Sequence, residues 1–326
     1  MKKRIRFIHL LILTLCLPVL ELLTACNDFN EDLPECRLYV KFKYDYNIKS
    51  VDAFHKQVDK VELFVFDKNG KFLFRQSEEG AALATGYYLM TVNLPVGEYK
   101  FMAWVGAHDS YAITQQTRGE SDLEEMELKL IREPSLIIDK ELEPLWYGEI
   151  IDVNFTGKTH QTETINLIKN TNKLRFVFQG RTDSWTMNVN NYSYEIIDAN
   201  GYNNYTNDIL PDDVLSYQPY VIQQMNPSAG VVEINTMRLM ANRATRLVVT
   251  EKATRKKMFD MNLTDFLIML RLDEYSHWSN QEYLDREDEY KVVFFFSEEQ
   301  PSDRPWLLMT IDINGWTWRF QTEGEI

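Results

Sequence analysis

Apolar residues recur at every second position over much of this chain. Leu38, Val40, Phe42, Tyr44 and Tyr46 alternate with Arg37, Tyr39, Lys41, Lys43 and Asp45, which predicts a strand with one face in a core and the other in water. The same pattern predicts strands over 61–66, 88–94 and 98–105, the last two joined by the tight turn Pro95-Val96-Gly97 into a hairpin. Leu174, Phe176 and Phe178 carry the alternation through 173–179. Further strands are expected over 192–197, 231–235, 246–250, 291–296, 306–313 and 316–320. Helical spacing is scarce: Val51, Phe54, His55 and Val58 have it, and Asn262 is placed to cap a short helix over 263–272. Both read as connections packed on a sheet.

The turns suggest repetition. Asp-x-Asn-Gly occurs three times, at Asp67-Lys68-Asn69-Gly70, Asp198-Ala199-Asn200-Gly201 and Asp312-Ile313-Asn314-Gly315, each after a strand-like run. Asn-Gly favours a type I′ hairpin because both residues tolerate positive φ. A calcium loop fits less well, since Lys71 occupies the fifth position and the sixth is not glycine. One such turn in the first half and two in the second predict two β-rich domains, 36–157 and 158–326. The boundary is expected near Thr156-Gly157-Lys158-Thr159.

The N-terminus departs from this grammar. Lys2, Lys3, Arg4 and Arg6 precede an apolar run over 7–23 that is interrupted by His9, Pro18 and Glu21, too broken for the roughly 20 apolar residues a spanning helix needs. It reads as an export signal over 1–25 that is removed. Leu23-Thr24-Ala25-Cys26 is a bacterial lipoprotein cleavage pattern, so Cys26 is the expected lipidation site and the mature first residue. Two or three acyl chains, at about 0.8 kcal/mol per buried CH₂, would hold the protein on a membrane. Residues 26–35 read as a short extended tether. Removing residues 1–25 takes four of 35 basic and one of 49 acidic residues, leaving 31 against 48, a net charge of −17. Nucleic acid and anionic lipid are poor partners for such a surface.

Candidate chemistry is sparse. Cys36 would be the one mature thiol beside Cys26 and reads as structural, with intermolecular pairing left open. His55, His108, His160 and His277 lie far apart, and no nucleophile elbow, phosphate loop or dinucleotide fingerprint is present. The acidic group Glu282, Asp285, Glu287, Asp288 and Glu289 could supply a glycosidase pair but reads as a solvated loop. Trp104, Trp146, Trp306, Trp316 and Trp318 sit in or beside apolar strands, where an indole fills a core more readily than it forms a sugar platform. No catalytic residue, metal site, cofactor or small-molecule substrate is expected.

A set of short motifs nevertheless occurs in a telling order. Cys26, Cys36, Tyr44-Asp45-Tyr46-Asn47, Val65-Phe66-Asp67-Lys68-Asn69-Gly70-Lys71, Leu94-Pro95-Val96-Gly97-Glu98-Tyr99 and Ala103-Trp104-Val105-Gly106 are followed by Leu145-Trp146-Tyr147-Gly148. Then come Ile168-Lys169-Asn170-Thr171-Asn172-Lys173-Leu174, Tyr217-Gln218-Pro219-Tyr220, Arg238-Leu239-Met240, Glu282-Tyr283-Leu284-Asp285-Arg286 and Ile313-Asn314-Gly315-Trp316. This order resembles the fimbrial anchor lipoproteins of Bacteroidota, the FimB-type or minor-fimbrium anchor family, over essentially the whole mature chain. The resemblance implies an all-β fold of two tandem transthyretin-like β-sandwich domains with few short helices, held at the outer membrane by lipid on Cys26. It also implies a non-enzymatic role: anchoring or assembling a type V fimbria, limiting its length, and contacting a fimbrial subunit by β-strand pairing. With six residues from Gln321 to Ile326 after the last strand-like run, the chain is expected to accept a strand rather than donate one. The alternatives are a surface adhesin or glycan-binding module, marked by Trp and Tyr on one exposed face, and a lipid-anchored hydrolase, marked by acids or a histidine converging in a cleft.

Overall fold

The computed structural model describes residues 36–180, 187–297, 306–313 and 316–321. The expected signal over 1–25, the lipidation site Cys26 and the tether lie outside the described residues.

The chain is all-β. Its first half contributes β1 (Arg37–Lys43), β2 (Lys60–Asp67), β3 (Phe72–Glu79), β4 (Met90–Val92), β5 (Gly97–Val105), β6 (Tyr111–Ile113), β7 (Leu128–Leu130), β8 (Ile137–Ile138), β9 (Trp146–Phe155) and β10 (His160–Lys169). Seven of these form one sheet in the order β3-β2-β5-β9-β10-β1-β4. It folds over so that Leu38, Val40 and Phe42 of β1 meet Leu63 and Val65 of β2 and Phe101 of β5 in a common core. The alternating strand is therefore confirmed at β1, although it stops at Lys43. In β2 every residue from Val61 to Phe66 is buried, because its second face, with Phe64 and Phe66, packs under the segment 106–145. One wet face was the expectation, and a covering layer supplied by residues far along the chain removes it.

The second half contributes β11 (Thr171–Gly180), β12 (Tyr192–Asp198), β13 (Tyr202–Asn203), β14 (Leu215–Tyr217), β15 (Val221–Asn226), β16 (Ala229–Met237), β17 (Arg246–Glu251), β18 (Lys257–Asn262), β19 (Glu289–Ser297), β20 (Trp306–Ile313) and β21 (Trp316–Gln321). Two sheets, β15-β16-β11-β19-β20-β21 and β18-β17-β12-β14-β8, enclose Phe176, Phe178, Tyr194, Ile234, Val249 and Phe294. The helices are short: α1 (Phe54–Gln57), α2 (Leu263–Met269) and α3 (Asn280–Arg286). Asn262 caps α2 as expected, its side chain accepting from the Asp265 N–H.

Of the Asp-x-Asn-Gly turns, Asp67–Gly70 joins paired strands, while Asn314 and Gly315 of the last lie outside the described residues. β2 and β3 pair antiparallel, with the Asp67 carboxylate accepting from the Asn69 and Lys71 N–H groups at 2.8 and 2.9 Å and Gly70 at φ +85°. β20 and β21 pair with Ile313 opposite Trp316. The third, at Asp198–Gly201, is no hairpin, since β12 pairs with β14 and β17 while β13 pairs with β7. The expected hairpin through Pro95-Val96-Gly97 also fails. β4 pairs with β1 and β5 with β2 and β9, so that turn crosses between layers instead of closing a ladder.

Thr156-Gly157-Lys158-Thr159 joins β9 to β10 within the first sheet, and the chain passes to the second sandwich at Asn170, between β10 and β11. The halves interlock. β8 pairs in parallel with β14, completing a sheet of the second sandwich, and β7 pairs with β13.

Candidate functional site: the junction between the sandwiches

The motifs that are scattered along the sequence converge where the two sandwiches meet. At the crossing point, Asn170 is fully buried and exchanges side-chain hydrogen bonds with Asn207, whose amide donates back to Asn170 Oδ1 at 3.0 Å. The Asn170 N–H donates to the Leu145 carbonyl at 2.7 Å. Buried amides tolerate burial only when paired, so these bonds fix where the chain changes sandwich. Gly148, three residues beyond Leu145, lies between strands so close that a Cβ would come within 2.8 Å of Ala103 and Ile165.

Charge supports this crossing. Arg238 takes Asp285 in a two-pronged contact, both bonds 2.7 Å, and its Nη1 donates to the Asn207 carbonyl at 3.0 Å. Gln281 donates to Asp285 as well, at 2.9 Å. Planar, bidentate pairing of this kind is directional as well as strong. One residue on, the Arg286 guanidinium lies 4.2 Å from the Tyr46 ring of the first sandwich and 4.8 Å from the Trp278 ring of the second, a cation held between two aromatic faces. Arg286 also donates to Glu282 at 2.9 Å and to the Asn47 carbonyl at 3.4 Å. Lys169 pairs with Asp288 while lying 5.2 Å over Trp146. The Tyr147 hydroxyl donates to the Tyr205 carbonyl across the same boundary at 2.9 Å. A second bracket lies further along, where Arg132 pairs with the buried Asp212 beside the β7–β13 contact.

The acidic group expected as a solvated loop is thus α3 and its exit, with Asp285, Glu282 and Asp288 each paired to a cation. Two signals in the sequence mark it: Ser279, whose side chain accepts from the Glu282 N–H at the start of α3, stands three residues before a glutamate, and Glu282 stands four before Arg286. Glu289 is exposed, and Glu287 is partly buried with no ion pair among the described residues. Burial, reinforced by the adjacent Asp288 charge, pushes its carboxyl up to about 7. The same burial, with Asp288 nearby, raises the Tyr44 phenol.

A cleft of about 460 Å³ opens at this junction, lined by Glu141, Glu143, Lys169, Lys173, Asp288 and Glu289. Lys169 and Asp288 pair with each other, and Lys173 lies 3.6 Å from Glu141 and 3.5 Å from Glu233. The histidines remain apart: His108 lies 2.9 Å from Asp59, His160 stacks on Tyr39 and His277 lies against Trp278. Among the described residues no group of three or more His, Cys, Asp or Glu is placed to hold a metal. Trp104 and Trp146 are fully buried, and Trp278 is stacked on Tyr275 with centroids 4.8 Å apart. Cys36 is exposed, its thiol donating to the Gly157 carbonyl at 2.7 Å.

The profile of the fimbrillin-A associated anchor proteins Mfa1 and Mfa2 matches residues 33–322. A protein of Bacteroides thetaiotaomicron VPI-5482, provisionally named for polysaccharide binding, is 57% identical with a TM-score of 0.80; the match covers 88% of this chain and 99% of that one. A protein of Bacteroides ovatus, provisionally named an adhesin, is 25% identical with a TM-score of 0.77 over 90% of this chain and 97% of its own. The fimbrial anchor protein Mfa2 of Porphyromonas gingivalis shares the fold at a TM-score of 0.67 and 18% identity, over 86% and 98% of the two chains. Among curated proteins none matches.

Proposed function

This chain belongs to the family of fimbrillin-A associated anchor proteins, and from that premise we propose that it holds the base of a type V fimbria to the outer membrane. Lipid on Cys26 is the attachment, residues 26–35 are the tether, and the two sandwiches, divided at Asn170, carry the filament and limit its length. It does so without enzymatic activity, contacting a fimbrial subunit by β-strand pairing.

The observation that carries this reading is the way the sandwiches are joined. An anchor must pass tension from its tether, which enters at Cys36 beside β1, to whatever grips the rest of the molecule. A hinge would dissipate orientation. Here, β7 and β8 of the first half are hydrogen-bonded into the second, and Arg238, Arg286 and Lys169 cross or brace the boundary. Pulling at Cys36 therefore loads ladder hydrogen bonds and ion pairs together.

The test compares cell-attached with shed fimbriae, and their length, in a deletion strain and in one complemented with Cys26→Ala. Filaments shed or overlong in both strains are the expected outcome; unchanged attachment and length would sink the anchor reading. A glycan-binding role, after the name of the Bacteroides thetaiotaomicron relative, has one favouring observation. The outer face of β1 and β10 presents Tyr39 stacked on His160 with centroids 6.0 Å apart, beside exposed Thr162 and Thr164. Binding to immobilised polysaccharide that is lost in Tyr39→Ala would support it.

A further inference from the structure

One end of the first sandwich lies opposite the junction. β10 runs from His160 to Lys169, where Lys169 meets Asp288 of the second sandwich, and β1 lies parallel to it with Arg37 opposite His160. At about 3.3 Å per residue, the start of both strands is roughly 30 Å from the junction. Three pieces of chain are joined there. The Cys36 thiol donates to the Gly157 carbonyl at 2.7 Å, and the Arg37 N–H donates to the Thr159 carbonyl at 3.3 Å. Gly157, at φ +75°, lies so close to the neighbouring turn that a Cβ would come within 2.9 Å of Val96 Cγ2. The Tyr99 hydroxyl fixes that turn by donating to the Pro95 carbonyl at 2.8 Å. Leu94 packs on the core beneath, whereas Pro95 is exposed and Val96 is 66% exposed.

The charge of this end is opposite to that of the whole. Residues 36–37, 93–97 and 156–160 contain Arg37, Lys158 and His160 and no Asp or Glu, in a mature chain of 31 basic and 48 acidic residues. Lys158 is exposed, and so is Lys68 on the adjacent β2–β3 turn. Carboxylates border the end rather than occupy it: Glu98 follows Gly97, and Asp122 pairs with Lys71 beside the β2–β3 turn. The tether leads to the same place. Ten peptide links separate Cys26 from Cys36, and their full extension is about 35 Å, little more than the length of one sandwich. Acyl chains on Cys26 would therefore keep this end near a bilayer. The β15–β16 turn lies at the other extreme, since β16 runs from Ala229 to Met237 and Met237 is opposite Thr171 at the crossing point.

We propose that this end of the first sandwich rests on the phospholipid headgroups of the membrane, with Val96 entering the layer and Arg37 and Lys158 facing its phosphates; the assignment rests on lipid attachment at Cys26. An exposed apolar turn flanked by cations suits a surface that presents anionic phosphate above hydrocarbon. The contact would not hold the protein by itself. Acyl chains supply the affinity, and once they have brought the end to the surface a weak contact acts within one body. A loose tether thereby becomes a fixed stance. The acidity of the remaining surface reinforces it, because anionic headgroups repel that surface and turn the basic end down and the second sandwich outward.

The test reads which end is covered. Protein purified from the native host's membranes is placed in vesicles of phosphatidylethanolamine and phosphatidylglycerol, or in micelles of an uncharged sugar detergent, which hold acyl chains but offer no phosphate. Amide hydrogen exchange is then compared between the two. The expected result is about tenfold slower exchange on vesicles over 93–97 and 156–160, with the β15–β16 turn unchanged. Val96→Asp/Lys158→Glu should abolish the slowing while the protein still floats with the vesicles, and Lys158→Glu alone should give partial loss; thermal melts establish that each variant folds. Equal exchange on vesicles and micelles, or equal slowing in the double variant, overturns the contact and leaves lipid attachment standing if the protein floats. Failure of the unmodified protein to float overturns lipid attachment and this proposal together. Slowing of the same segments in micelles that grows with protein concentration reassigns the end to self-association and overturns the proposal.

Discussion

The interiors of the two sandwiches and the junction between them are held by different forces. Inside the second sandwich, the Phe178 ring lies 5.0 Å from Tyr194 and 5.2 Å from Phe294. That attraction scarcely depends on direction, and other apolar sets of the same volume would supply most of it. At the junction, Lys169 of the first sandwich pairs with Asp288 of the second and Arg286 sits between two rings, one from each sandwich, contacts that exist in one arrangement only. The difference teaches that apolar packing stabilises each sandwich, while paired charges and amides select how one sandwich is set upon the other.

Removing apolar volume should do the most damage. Phe178→Ala is expected to lower the unfolding free energy by about 4 kcal/mol, read from urea melts; a loss below about 1 kcal/mol would mean the ring stack does not hold the interior. Asp285→Ala leaves the half-buried Arg238 without its carboxylate partner and should cost about 3 kcal/mol. The paired change Arg238→Met/Asp285→Leu should recover most of that stability while altering the scattering profile of the molecule. If the pair costs as much as the single change, the distinction between packing and selection fails.

Glu287 should give an intermediate effect with a defined sign. Its folded carboxyl titrates near 7, above the ordinary value of about 4.3 for an unfolded chain. The folded state therefore holds the proton more tightly, so this group's contribution is present at low pH and is lost as pH rises from about 4.3 to about 7. Unfolding free energy should fall by about 3 kcal/mol over that window, and Glu287→Gln should flatten the fall. The smallest effect is expected for Arg286→Ala, about 1 kcal/mol, with the consequence concentrated in faster hydrogen exchange of junction amides near Tyr46 and Asn47 rather than in the global melt.

Legibility followed the range of the interaction. The hairpin at Asp67–Gly70 could be read because the Asp67 carboxylate bonds N–H groups two and four residues away. The cap of α2 could be read because Asn262 reaches Asp265. The same Asp-x-Asn-Gly pattern misled at Asp198, where Asn200 is fully buried, donates to the Met237 and Arg238 carbonyls and accepts from the Tyr217 hydroxyl. Nothing within the four-residue pattern distinguishes those uses. The acidic group around α3 looked solvated for the same reason: its cations, Arg238 and Lys169, are remote in sequence. Order among the motifs pointed to the family, but not to the fact that Tyr46, Lys169, Asn170, Arg238 and Arg286 meet.

From the amino-acid sequence alone came the all-β class, most strand positions, the capped helix and the tight turn after β2, since periodicity and side-chain-to-backbone bonding act over a few residues. Tertiary structure decided which strands pair: β1 lies parallel to β10, Arg37 opposite His160, and β4 and β5 part company across their turn. It also decided that β2 is wet on neither face. Those outcomes depend on segments brought together from distant parts of the chain, where the free energy of contact is set by complementary surfaces that no local pattern encodes.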